Sequence, residues 1–424
     1  MSKFKKLVAV SLAATMAFFV GACNSDSSGE ETEGGNNTGG EVSSEAIDFW
    51  YMGDGNEQIK PALDAFTEET GIDVNVQSIP WGSAHDRLLT AVASNEGPDV
   101  VQMGTTWMSE FSDAGALLDI TDEVNGNEIL DPDNYFEGNV KTAVFDGKSY
   151  AVPWYTETRV LYYRTDLLAD VGYDEAPATW EELKDAADKL SERGDDYYGF
   201  NVDAADQSFH FMFARQNGAE LLDENGQPNF TQDEFIESAK YLDSFIKDGA
   251  SPAQDLGLDI SQTFGGEGYV PMFISGPWQI NIIEENAPDI DGKWDIATLP
   301  EGPSNNLSNT GGANLAIWNN SENVDEAIKL IEYLTGPEGA LIYYDTTGSL
   351  PANKLAWEDE RLQNDRVQVI REQLESSEHM PLIPAWEQVA QTYLDYWEQI
   401  AVGGADVEET VESFQAEAEE IMEQ

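Results

Sequence analysis

Between Ala46 and Val101 the chain alternates two hydrophobic periods. Ala46-Ile47-Asp48-Phe49-Trp50-Tyr51 reads as a strand, and the turn-rich Gly53-Asp54-Gly55-Asn56 follows it. Ile59, Leu63 and Phe66 then recur at helical spacing, with Gly71 as the C-cap. Ile72, Val74 and Val76 alternate as a second strand, and Leu88, Leu89 and Val92 mark a second helix. Gly97-Pro98-Asp99 turns into Val100-Val101, a buried strand. Strand and helix in alternation predict an α/β sheet with parallel strands. Residues 148–153 read as a strand ending at Pro153, and 160–163 as another. Thr179 and Glu182 form a Thr-x-x-Glu capping box that opens a helix with Leu183, Ala186 and Leu190 on one face. From residue 231 onward helices dominate. No fixed-period repeat is visible, and the length suggests two lobes.

The first 45 residues follow another pattern. Lys3, Lys5 and Lys6 precede an apolar run over 7–20, which ends in Val20-Gly21-Ala22-Cys23. A basic head, a short apolar core and a small-residue site read as a secretory signal. The run is shorter than the ~20 residues a spanning helix needs. Cys23 is the only cysteine in 424 residues. A cysteine directly after small residues resembles the bacterial lipoprotein signal, which implies lipidation of Cys23 and an anchor on the outer face of the membrane. Residues 24–45 are Ser, Gly, Asn, Glu and Thr with almost no apolar side chain, so they read as a flexible tether. With one cysteine no internal disulfide can form, and stability must come from packing.

Charge narrows the partners. The chain has 21 Lys+Arg and 81 Asp+Glu. Removing 1–22 removes three lysines and no acid, so the mature balance is 18 − 81 = −63. Such a surface repels nucleic acid and anionic lipid. It also suits a salty or alkaline outside medium, where screening limits self-repulsion. Stability against urea should therefore rise as salt goes from ~0.01 M to ~1 M, the range over which the screening length collapses; a midpoint that falls with salt would count against this.

Catalytic signatures are poor. There is no G-x-S-x-G elbow and no G-x-G-x-x-G. Gly147-Lys148-Ser149 imitates the tail of a phosphate loop, but Thr142 stands where the pattern needs Gly. His85, His210 and His379 are far apart and outside any H-E-x-x-H. Asp289-x-Asp291-Gly292 and Asp131-x-Asp133 are only fragments of a calcium loop. No metal or cofactor is expected. Aromatic residues beside turn signals stand out instead: Trp81 after Pro80, Trp107 after Gly104-Thr105-Thr106, Trp154-Tyr155 after Pro153, Trp278 after Gly276-Pro277, and Trp386 after Pro384-Ala385. Flat aromatic faces stack on the C–H faces of sugar rings, while amides and carboxylates bond the hydroxyls. These positions point to a carbohydrate cleft.

Residues 46–424 as a whole resemble the extracellular solute-binding proteins of carbohydrate ABC importers. The likeness rests on blocks in order: Phe49-Trp50-Tyr51-Met52-Gly53-Asp54, Thr67-Glu68-Glu69-Thr70-Gly71-Ile72-Asp73-Val74, Gly97-Pro98-Asp99-Val100-Val101, and Ala114-Gly115-Ala116-Leu117-Leu118. They continue with Tyr150-Ala151-Val152-Pro153, Leu161-Tyr162-Tyr163-Arg164-Thr165-Asp166-Leu167-Leu168, Pro177-Ala178-Thr179-Trp180-Glu181-Glu182-Leu183, Ile274-Ser275-Gly276-Pro277-Trp278 and Gly311-Gly312-Ala313-Asn314-Leu315.

The resemblance implies a type II periplasmic-binding-protein-like fold: two α/β lobes joined by a hinge, with ligand between them. Lobe one would be 46–155 plus 298–350, and lobe two 156–297 plus 351–424. It implies ligand contacts at Asp54, Thr106, Trp107, Glu157, Asp206 and Trp278. Thr106 and Trp107 replace an acid and an arginine of the maltose-type binders. The segment from Asp206 to Phe211 brings in Gln207 and His210. Trp386 falls near another stacking tryptophan, although the alignment slips there. Trp81 and Asn314 follow from loop position, and Tyr155 and Gly312 from the blocks around them. The implied protein is a monomeric, non-catalytic receptor that captures a mono- or oligosaccharide and delivers it to membrane permease subunits. A secreted glycosidase-like enzyme, or a receptor for a non-sugar solute, remains the alternative.

Overall fold

The computed structural model describes residues 46–423. The expectations for the signal 1–22, for Cys23 and for the tether 23–45 lie outside the described residues.

Twelve strands are described: β1 Ile47–Met52, β2 Val74–Ile79, β3 Val100–Gly104, β4 Val144–Phe145, β5 Lys148–Ser149, β6 Ala151–Thr158, β7 Val160–Arg164, β8 Met272–Ser275, β9 Trp294–Ala297, β10 Ser308–Ile317, β11 Leu350–Pro351 and β12 Ser377–Glu378. The larger sheet has the order β11-β6-β10-β3-β1-β2, with β12 added on β10. Only part of it is parallel. β1 pairs parallel with β2 and β3, as the alternation predicts, whereas β10 runs antiparallel to both β3 and β6. A smaller antiparallel sheet has the order β8-β7-β9.

Both faces of each sheet are covered, so the strands read as near-continuous apolar runs. Along β3 and β10, Val100, Leu315 and Ile317 enter one core, while Val101, Met103 and Ala316 enter another. Along β7, Leu161 joins a helical core, while Val160 and Tyr162 face a separate one. Gly71 caps the helix Lys60–Thr70 in the left-handed conformation at φ 73°. The Thr179 hydroxyl accepts from Glu182 N as expected, but the Glu182 carboxylate accepts from Ala178 N, one residue earlier than a strict capping box requires.

One strand limit differs from expectation. β6 does not stop at Pro153 but runs on to Thr158. Proline lacks an N–H for the ladder, and the pairing with β10 shifts register at Ala313/Asn314, opposite Pro153. That irregularity accommodates the missing donor. The consequence is functional, because the extra residues carry Tyr155 and Glu157 and lead through Arg159 directly into β7. The chain thus passes from the larger sheet to the smaller at Arg159. It returns between β9 and β10, and leaves again after β11 for the helices Asp365–Glu375, Trp386–Ala401 and Val407–Met422. No described helix is long and apolar enough to cross a membrane.

Candidate functional site

The larger sheet delivers loops to one place. β1 ends at Tyr51 to Asp54, β2 leads through Pro80 into Trp81, and β3 leads into Thr105, Thr106 and Trp107. All three parallel strands release these residues at their carboxyl ends, where open α/β sheets bind ligands. Tyr155, Glu157 and Arg159 arrive on the passage between sheets. Asp206 and Gln207 come from the start of the helix Gln207–Gln216, and Trp278 from the turn after β8. Together with Gly312 they line a cleft of about 630 Å³. Ten of the thirteen ligand-site residues expected from sequence meet there: Asp54, Trp81, Thr106, Trp107, Tyr155, Glu157, Asp206, Gln207, Trp278 and Gly312.

Trp81 and Trp107 form an aromatic pair, with ring centroids 5.3 Å apart. Trp81 is 41% exposed, so an apolar face is open to a ligand. Trp278 is held against Arg159, whose guanidinium carbon lies 5.0 Å from the ring centre. Gly276 makes room for that indole, since a Cβ there would sit 1.9 Å from Trp278 Cζ3. Gly312 adopts φ 124°, and a Cβ would fall 2.2 Å from the Tyr155 carbonyl oxygen, so only glycine fits.

Arg159 organises the floor. Its Nη1 donates to Glu157 Oε1 at 3.1 Å and its Nε to Asp206 Oδ2 at 3.0 Å. Asp206 also caps the helix that follows, accepting at Oδ1 from Ser208 N and Ser208 Oγ. Burial disfavours both carboxylates. For Glu157 it outweighs the Arg159 charge and hydrogen bond, so the pKa is raised. For Asp206, Arg159 and Ser208 together overcome burial and hold the pKa below the usual range. Tyr155 receives a hydrogen bond at its hydroxyl from Gln102 Nε2, 3.1 Å away.

Behind Trp107, His85 pairs with Glu110 at 2.7 Å. Burial works against the imidazolium. The Glu110 hydrogen bond and charge, with Glu387 and Asp86 further off, nevertheless lift its pKa above the ordinary value.

Three expected residues are not in the cleft. His210 lies three positions after Gln207, ~4.5 Å deeper along the helix axis. It is packed against Trp397 at 4.4 Å and Tyr393 at 5.3 Å, inside the helical core. Neither ring nitrogen has a hydrogen-bond partner of normal geometry. Asn314 is fully buried, and its Nδ2 donates to Thr142 Oγ1 at 3.0 Å, tying β10 to the neighbouring short helix. Trp386 is buried against Phe211, with ring centroids 5.0 Å apart. The next residue, Glu387, turns ~100° away along the helix and meets the cleft residues Thr106 and Gln207 through its Oε2. Trp154 is also a core residue, stacked on Tyr343 at 4.3 Å.

Sequence reasoning placed Arg159 among the cleft blocks only as a cation, not as a ligand contact, and gave Tyr343, Asn281 and Glu285, which also line the cleft, no place in the site. For Arg159 the signal was available: a lone cation between acids in an acidic chain. A larger depression of about 880 Å³ lies behind the segment 201–205 on the smaller-sheet side, and none of the expected site residues lines it. No described group of three or more His, Cys, Asp or Glu is placed to hold a metal ion.

Residues 51–341 match the family described as bacterial extracellular solute-binding protein. The diacetylchitobiose binding protein DasA of Streptomyces coelicolor is 26% identical over 400 residues, covering 91% of this chain and 90% of its own. The sugar-binding protein MalE from the phytopathogen Xanthomonas citri superposes with a TM-score of 0.79 at 31% identity, covering 89% of this chain and 97% of that one. A solute-binding protein of an ABC transporter from Thermotoga lettingae, bound with α-D-tagatose, gives 0.81 at 26% identity, over 89% and 100% of the two chains. The fold is therefore the two-lobed type II periplasmic-binding-protein fold. With that match over most of its length, the chain belongs to the bacterial extracellular solute-binding protein family.

Proposed function

We propose that this protein is the substrate-binding lipoprotein of a carbohydrate ABC importer. It captures a mono- or oligosaccharide between its lobes and delivers it to membrane permease subunits, without catalysing a reaction. One observation carries the reading: the exposed face of Trp81, the Trp107 ring and Trp278 border one cleft whose floor is a hydrogen-bonding array of Glu157, Arg159, Asp206 and Gln207. Rings with apolar faces and hydroxyl edges fit that combination. The sugar ligands named for DasA and for the tagatose-bound relative agree with it. The proposed contacts are Asp54, Trp81, Thr106, Trp107, Tyr155, Glu157, Asp206, Gln207, Trp278 and Gly312.

The lobes proposed follow those expected from sequence, with two limits moved: the first passage lies at Arg159, because β6 stays in the larger sheet to Thr158, and the last follows Pro351 in β11. Lipidation of Cys23 would hold a monomer on the outer face of the cell membrane within reach of the permease. Closure follows because a ligand that touches both lobes binds the closed state better.

Thermal unfolding in the presence of mono- and oligosaccharides tests the reading. A ligand at a hundred times its Kd adds ~2.7 kcal/mol of stability and raises the midpoint. Trp278→Ala should weaken the best sugar by ~1 kcal/mol or more, the worth of an aromatic contact. Titration calorimetry reads this directly, and unchanged affinity removes Trp278 from the site.

A glycosidase reading has one observation in its favour: Glu157 is raised and Asp206 lowered, as in an acid–carboxylate pair. Arg159, however, bonds both carboxylates at 3.0–3.1 Å and engages the same groups that would have to act on a glycosidic bond. Release of reducing sugar from an oligosaccharide panel, abolished by Glu157→Gln, would overturn the receptor reading.

A further inference from the structure

Glu387 opens the helix Trp386–Ala401, and it is only 5% exposed. Its Oε2 accepts two hydrogen bonds that come from opposite sides of the cleft. Thr106 Oγ1, on the loop after β3, donates at 3.2 Å, and Gln207 Nε2, at the start of the helix Gln207–Gln216, donates at 2.8 Å. Gln391 Nε2 donates to Oε1 at 3.3 Å. A carboxylate accepts and never donates when ionised, so Gln207 must turn its amide nitrogen toward it. The other end of that amide is thereby fixed. Gln207 Oε1 is buried and has no hydrogen-bond partner. A buried carbonyl oxygen left unpaired is costly, and the cost is removed by any ligand that donates to it.

We propose that Glu387 is the positioning residue of the cleft: one carboxylate oxygen bridges Thr106 and Gln207, and leaves Gln207 Oε1 as the acceptor for a ligand hydroxyl or N–H. The bridge holds the ligand-free lobes near one another. Pre-organised lobes raise apparent affinity, because the binding-competent fraction divides the intrinsic Kd. The acceptor half of the proposal rests on the sugar-receptor reading; the bridge does not.

Small-angle scattering of the ligand-free protein tests the bridge without any sugar. Glu387→Ala should increase the radius of gyration, and Thr106→Val, which leaves the helical core untouched, should do the same. Glu387→Gln keeps an acceptor oxygen for both donors and should scatter as the unaltered protein does. Curves for Glu387→Ala and Thr106→Val that overlay the unaltered protein overturn the bridge. Calorimetry with N,N′-diacetylchitobiose and maltotriose tests the acceptor. Glu387→Ala and Gln207→Ala should each weaken the bound probe about ten- to a hundredfold, the worth of a charge-assisted or buried hydrogen bond. The double variant should be no weaker than the weaker single, since Glu387 acts through Gln207, and Glu387→Gln should stay within about threefold of the unaltered protein. Additive losses, or unaltered affinity in Glu387→Ala at a lowered melting point, overturn it as a purely structural residue. If neither probe binds the unaltered protein, the failure falls on the sugar reading, and the scattering result still decides the bridge.

Discussion

Arg159→Met is expected to destabilise the protein by ~3–5 kcal/mol and to abolish saccharide binding. Removing one partner of a largely buried ion pair strands the other, and here it strands two. Glu157 and Asp206 side chains are 15% and 24% exposed, so water can relieve only part of their repulsion. Trp278 would also lose the cation against its face. The pH dependence gives the effect a signature. Asp206 has a lowered folded pKa, so its contribution is present above the unfolded carboxylate range and is lost as pH falls through the folded value. Without Arg159 that contribution disappears. The gap between variant and parent should then be wide at pH 8 and narrow toward pH 4, where carboxylates can protonate. Urea midpoints at both pH values measure it. Adding Glu157→Gln and Asp206→Asn should recover most of the loss, because it is the uncompensated charge that destabilises. A single variant as stable as the parent at pH 8 would refute the account.

His210 should be the largest single source of acid sensitivity. Burial among aromatic rings lowers its pKa to about 3, although the nearby Asp206 carboxylate and the Asp203 backbone favour the charged form. The unfolded chain takes up the proton near the ordinary ~6.5. The folded state binds it only near 3, so stability falls progressively as pH drops between those values. At 1.36 kcal/mol per pKa unit, the loss from this group approaches ~2 kcal/mol at pH 5 and ~5 kcal/mol below pH 3. His85 works in the opposite sense. Its folded pKa is raised, so its contribution is full below the unfolded value and fades as pH rises through the folded one. His210→Phe keeps an aromatic ring beside Trp397 and Tyr393 and removes the titration. Its denaturation midpoint should drop less than the parent's between pH 7 and pH 4. Parallel curves would show that burial of His210 carries no such penalty.

The two buried residues mark where reading from sequence stops. His210 and Trp386 sit in segments whose neighbours meet the cleft, Gln207 by lining it and Glu387 by hydrogen bonds to Thr106 and Gln207. Their residue types suited a sugar site equally well. What separated them was the rotation and rise of two helices, which set which side chain faces the cleft and which the core. Asn314 differs from Gly312 by the same kind of accident. At the irregularity opposite Pro153, the strand carries Asn314 toward Thr142 while Gly312 stays at the cleft wall. Trp81, Trp107 and Trp278 line the cleft and each follows a proline- or glycine-marked turn, but so do the core residues Trp154 and Trp386, so the turn signal alone did not separate them.

The sequence by itself determined the local elements of residues 46–101, the pairing of helix with strand, the aromatic character of the site and the family likeness. These depend on period, turn chemistry and residue type, all of which are short-range. Only the tertiary structure decided that β10 runs antiparallel into the sheet, that β6 continues past Pro153, and that Arg159 sits between Glu157 and Asp206. Those facts depend on which distant segments meet. The Thr106–Glu387 bond joins residues 281 positions apart. No local pattern encodes such a meeting; it is fixed when the two sheets, each with a hydrophobic core on either face, leave a cleft between them.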